Sequence, residues 1–139
     1  MVYIITDDNC QYWKNLQNMT LSSPNYPKWY NSEYGSGCEW LLTVPEKFII
    51  ALEFQHFDMN NIGINNKVSF YDGPCDLTKE LRTVTGLMLN DDRWVFSSSG
   101  RHMFITFIVD DLNAFPGFIA KIHYGNNYFN NMKIFCIRT

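Results

Sequence analysis

The side chains able to do chemistry are few and scattered. His56, His102 and His123 are isolated along the chain and show no metal-ligand spacing. Ser97-Ser98-Ser99 lies close to His102, the pairing that nucleophilic hydrolysis uses. No G-x-S-x-G elbow surrounds those serines, however, and they precede Gly100 as a hairpin turn would. Gly35-Ser36-Gly37 is a turn signal and not a phosphate-binding or dinucleotide fingerprint. The four cysteines, Cys10, Cys38, Cys75 and Cys136, include no C-x-x-C pair, which argues against zinc-ribbon and dithiol redox chemistry. Their even number fits two disulfides in an oxidising compartment. Spacing alone leaves all three pairings open. Asn18-Met19-Thr20 is an acceptor triplet for N-linked sugar, which also points outside the cell. This inventory does not describe an enzyme.

The bulk properties narrow the class further. A chain of 139 residues fits one domain and is long enough to bury a core. Aromatic residues make up 17% of it, and such rings suit strands. The net charge of −3 and the lack of a Lys/Arg cluster exclude a nucleic-acid footprint. No apolar run approaches the ~18 residues that span a bilayer. The segment from Met103 to Val109 contains Thr106 and runs into Asp110-Asp111, so it reads as a buried strand. The first residues, Met1 to Asp8, lack the basic start, apolar stretch and small-residue cleavage site of a signal peptide.

Turn signals recur at short intervals, among them Ser23-Pro24-Asn25, Asp72-Gly73-Pro74, Ser99-Gly100 and Phe115-Pro116-Gly117. Between them the pattern predicts strands near 40–44, 48–56, 67–71, 81–84, 94–97, 103–109 and 118–124. In the second of these, Ile50, Leu52, Phe54 and His56 alternate with Ala51, Glu53 and Gln55, the period of a half-buried strand. Leu77–Arg82 has the makings of one short helical turn. Short strands punctuated by Gly, Pro and Asn predict an all-β sandwich or barrel. From Gly125 onward asparagines punctuate a tail, and Met132–Ile137 reads as a further edge strand held by Cys136.

One set of motifs is more specific. Leu21-Ser22-Ser23-Pro24-Asn25-Tyr26-Pro27 is followed by Trp29-Tyr30 and then Cys38-Glu39-Trp40. Next come Ile50 to Asp58 ending in Phe-Asp, Val68 to Gly73 ending in Asp-Gly, and Phe96-Ser-Ser-Ser-Gly100. Phe107 to Asp110 and a closing Gly117-Phe118 strand complete the order. Together they resemble the CUB domain family of extracellular β-sandwich modules. The resemblance covers residues 10–124, with 1–9 an N-terminal extension and 125–139 a C-terminal one. It implies an all-β, two-sheet antiparallel sandwich of jelly-roll type, with Trp40, Phe54, Phe57, Phe107 and Phe118 in the core. It also implies a secreted, non-catalytic recognition protein.

The resemblance also implies site residues. The family's first disulfide maps to Cys10 and Cys38, which leaves Cys75 and Cys136 as an additional pair. The family's second disulfide is missing: the short 60–66 segment has no cysteine, and Thr85 stands where that bond would end. Calcium sites of the family map to Asn60, Asn66, Asp110, Asn113 and the carbonyl of Leu112, with Tyr26 or Tyr30 nearby. Two of three carboxylates have become amides, so calcium is expected to bind weakly, in the millimolar range typical of extracellular modules (~10⁻⁴–10⁻³ M). The expected partner is an extracellular protein offering a basic side chain to Asp110, Glu33 and a nearby tyrosine. Carbohydrate binding is the alternative, through exposed rings among Tyr12, Trp13, Trp29, Tyr30 and Tyr34. A third reading is a structural or interaction domain of a larger secreted protein.

Overall fold

A computed structural model describes residues 3–6, 14–15, 19–30, 37–59, 66–89, 92–109 and 115–126. Ten strands follow one another among them: β1 Tyr3–Thr6, β2 Lys14–Asn15, β3 Thr20–Ser22, β4 Gly37–Thr43, β5 Phe48–Asp58, β6 Lys67–Asp72, β7 Lys79–Val84, β8 Val95–Ser97, β9 His102–Ile108 and β10 Gly117–Asn126. They form two antiparallel five-stranded sheets, ordered β1-β4-β9-β6-β7 and β2-β3-β10-β5-β8. The described residues include no helix, and the all-β jelly-roll sandwich expected from the sequence is what forms.

All seven expected strands are present, with ends shifted by at most three residues. The short strands β1, β2 and β3 were not anticipated, since two to four residues carry too little alternation to register. Residues Tyr3–Thr6 extend the first sheet by pairing with β4, Thr6 opposite Trp40. The helical turn expected at Leu77–Arg82 does not form. Lys79–Val84 is instead an edge strand against β6, where pairing with Val68–Asp72 outweighs a weak local preference.

Between the sheets lies an aromatic core. Trp40, Phe57, Phe70, Phe107 and Phe118 are fully buried, and Phe54 nearly so. Phe54 touches Phe57, Phe70, Trp94, Phe96 and Phe118 at ring separations of 5.5–6.4 Å, linking both sheets through one ring. Rings of this size each contribute ~2–3 kcal/mol on full burial. Such dense packing locks the strand ends, and with them the loops.

Two clips then fix the ends of the sandwich. At one, the buried Asp72 carboxylate closing β6 accepts the Ser99 amide at 2.8 Å and the Ser99 hydroxyl at 2.5 Å. Ser98 beside it donates to the Gly100 carbonyl and accepts the Ile50 amide. At the other, Ser23 and Phe118 exchange hydrogen bonds.

Candidate functional site

Register places five strand ends together at the Ser23 end of the sandwich. In the first sheet Gly37 of β4, Ile108 of β9 and Lys67 of β6 form one row. In the second, Gly117 opens β10 opposite Asp58, the last residue of β5. Connections 59–66, 85–94, 109–116 and 23–36 therefore all emerge here. Outside the strands, Tyr30 bridges Phe115 through paired backbone bonds of 2.7 and 3.3 Å, and Asp58 bridges Leu87. The Met59 amide donates to the Gly86 carbonyl at 2.7 Å.

Asn66 sits at this end, buried and immediately before β6. Because Lys67 is opposite Ile108, Asn66 stands beside Val109, one residue from Asp110 along the chain. Its carbonyl accepts the Thr85 hydroxyl at 2.6 Å. This hydrogen bond ties the start of β6 to the exit of β7.

Tyr30 corrects an expectation. The sequence predicts an exposed binding ring, yet only 1% of it is exposed. It stacks on Phe115 at 5.0 Å and meets Phe107 edge-on at 5.4 Å. Burial pushes its phenol up to about 12. The cause is tertiary: Phe107 of β9 and Phe115, which bridges Tyr30 just before β10, lie more than seventy residues further along the chain. Trp29 is 59% exposed, as an available ring should be. Tyr26 lies against His56 at 5.8 Å between ring centres, and burial raises its phenol as well.

The remaining site residues named from the sequence, Asn60, Asp110, Leu112, Asn113, Tyr12, Trp13, Glu33, Tyr34 and Asn18, lie outside the described residues. Among the described residues no group of three His, Cys, Asp or Glu side chains is placed to hold a metal ion. Asn66 and its Thr85 bond form the one described corner of the expected ion site.

Cys38 and Cys75 are both disulfide-bonded and buried. They are not bonded to each other. Cys38 lies in the row of Phe107 and Val68, while Cys75 follows Asp72 in the β6–β7 turn. The two are separated by two strand spacings (~9–10 Å) and at least four residues of strand (~13 Å), whereas bonded cysteines need Cα atoms within ~7 Å. Their expected partners, Cys10 and Cys136, lie outside the described residues.

The hydroxyls that suggested hydrolysis are committed elsewhere. Ser98 and Ser99 serve the turn described above, and His102 Nδ1 contacts Thr43 Oγ1 at 3.0 Å. Neither these serines nor the Thr43–His102 contact lies at the Ser23 end, where strand ends and their connections gather instead.

The described strands form a two-sheet antiparallel sandwich with five strand ends gathered at one end, the frame of an interaction module. Residues 10–133 match the sequence pattern of the CUB domain, and the chain belongs to the CUB domain family. Such domains are typically extracellular protein-interaction modules. The chain is similar to a bone morphogenetic protein 1 homolog of Strongylocentrotus purpuratus, 33% identical over 103 residues, which are 73% of this chain and 15% of that protein. It is also similar to cubilin of Canis lupus familiaris, 29% identical over 81% of this chain and 4% of cubilin. The fold matches the CUB1-EGF-CUB2 domain of human MASP-1/3 with a TM-score of 0.67 and 32% identity, covering 79% of this chain and 43% of that one. The chain thus spans a small part of each curated relative.

Proposed function

We propose that this domain is a secreted module that recognises a protein partner at the end of the sandwich where Asn66 and the 109–116 connection meet. The observation that carries this reading is the row Gly37–Ile108–Lys67. It sets Asn66 beside the exit of β9, so that Asp110, Leu112 and Asn113 follow within a few residues of it. Asp110 with Glu33 would hold a basic side chain of the partner by charge-assisted hydrogen bonds. Calcium would assist weakly through Asp110, Asn113, the Leu112 carbonyl, Asn60 and Asn66, because two amides bring oxygen but no charge.

Titration calorimetry of the oxidised protein with calcium tests this, with Asp110→Ala as control. Saturable heat at millimolar calcium that is lost in the variant is expected. Absence of heat in the parent protein removes the ion from the mechanism. Unchanged partner affinity in Asp110→Ala moves the interface elsewhere.

The exposure of Trp29 supports a second reading, carbohydrate binding. An exposed ring next to Lys28 and Asn25 suits stacking on a sugar face. Hits on a glycan array that vanish in Trp29→Ala would favour it over protein recognition.

A further inference from the structure

In a two-sheet sandwich one face of each sheet packs inward and the other meets solvent. In the first sheet the inward rows are Trp40–Ile105–Phe70 and Cys38–Phe107–Val68, all in the core. The alternate rows, Leu41–Phe104–Tyr71 and Glu39–Thr106–Ser69, point outward. Yet Phe104 is 8% exposed, Thr106 7% and Ser69 3%. Neighbours in the same row can wall a ring from the side, as Tyr71 does Phe104 at 6.1 Å, but they cannot roof it. The Thr106 hydroxyl is sealed from water without a hydrogen-bond partner among the described residues. Glu39 and Ile108 of the same face are exposed, so cover by a further part of the chain is called for only at the Phe104 end.

Chain path selects the part. The last residue of β10, Asn126, pairs with Phe48. The chain therefore leaves the second sheet at the end where Asp72 closes β6 and where Cys75 sits in its turn. Residues 7–13 and 31–36 leave their strands at the opposite end. From Asn126 to Cys136 ten residues reach up to ~33–36 Å, several times the ~10 Å between packed sheets. That stretch carries Tyr128, Phe129, Met132, Ile134 and Phe135, enough apolar surface to cover Leu41, Phe104 and Tyr71. Cys75 is bonded, and Cys38 is out of its reach.

We propose that residues 127–139 fold back over the outward face of the first sheet and roof Phe104, held there by a Cys75–Cys136 disulfide. The face is thus an internal docking surface for the chain's own tail. Partner recognition is left to the Asn66 end and the second sheet.

Hydroxyl-radical footprinting of the full oxidised chain tests this, comparing the parent with Ile134→Asp/Phe135→Asp. Labelling of Phe104 should rise several-fold in the variant while Phe70, 0% exposed in the core, stays protected. Unchanged Phe104 labelling with Phe70 protected overturns the proposal. Should both rings become labelled, the variant has lost its fold, and a benzophenone amino acid replacing Tyr71 in the otherwise parental chain decides. Crosslinks to peptides from 127–139 support the strap, and crosslinks confined to other segments overturn it. Non-reducing peptide mapping must also recover Cys75 joined to Cys136; Cys136 joined to Cys38 overturns the tether.

Discussion

Ser23 accepts the Phe118 amide on its side-chain oxygen at 2.9 Å, and its own amide donates back to the Phe118 carbonyl at 3.0 Å. The neighbouring Gly117 has φ of 98°, and a Cβ there would collide with Ser23 Oγ. The serine of the Ser-Pro-Asn-Tyr-Pro run and the glycine of the Gly-Phe strand, 94 positions apart in the chain, are therefore two halves of one contact.

Ser23→Ala should cost ~1–3 kcal/mol, because the Phe118 amide loses a buried acceptor. Gly117→Ala should cost at least as much, through both the positive φ and the collision. The double variant removes the colliding oxygen, so its cost should fall short of the sum by more than ~0.5 kcal/mol. Urea unfolding of the four proteins measures this. Strict additivity would mean that the two residues act independently.

Asp72→Asn should lower stability by ~1.5–3 kcal/mol, because it weakens charge-assisted bonds to Ser99 in a site nearly closed to water. The loss should appear in the unfolding midpoint with an unchanged denaturant slope.

On the proposed pairing, Cys75→Ser, Cys136→Ser and the double variant should be destabilised equally. Closure of a ~60-residue loop puts the cost near ~4 kcal/mol in the chain-entropy picture. Unequal single variants, measured by thermal unfolding, would point to a different partner for one of them.

The His102 ring is held below the usual histidine range by burial, and then by the charge of Arg101. Its folded pKa lies below the unfolded value of about 6.5, so the unfolded chain binds the extra proton first. Stability is fully present above pH ~6.5 and falls as the pH drops through that value toward the folded pKa. The slope stays well under the ~1.4 kcal/mol per pH unit of one whole proton, since the ring is only half-buried. Unfolding midpoints between pH 7.5 and 5.5 for the parent and His102→Gln give the difference. Parallel curves would remove His102 as the cause.

Tyr30 carries the complementary prediction at high pH. With its phenol pushed up to about 12 by burial, it should ionise well above the ordinary phenol range near 10. In an absorbance titration Tyr30→Phe should delete a step near pH 12; an unchanged titration curve would remove Tyr30 as its source.

Much of this protein is legible in its residues. Alternation from Ile50 to His56, and the turn residues between apolar runs, determined the long strands, because those signals arise within a few residues of each other. The ordered motifs from Ser23 to Phe118 determined the family. Asn66 and Thr85 could each be singled out in the sequence, although not the hydroxyl–carbonyl bond that joins them. Tyr30 shows why the rest was hidden. Its sequence neighbours, Trp29 and Asn31, give it the look of a surface loop, and only β9 and the Tyr30–Phe115 bridge bring Phe107 and Phe115 onto its ring. Phe104 repeats the lesson, since strand register turns it to the outer face of its sheet and its burial depends on what lies across that face. Period and turn chemistry are local and can be read along the chain. Burial and pairing depend on contacts between residues far apart in sequence, and these the tertiary structure alone decided.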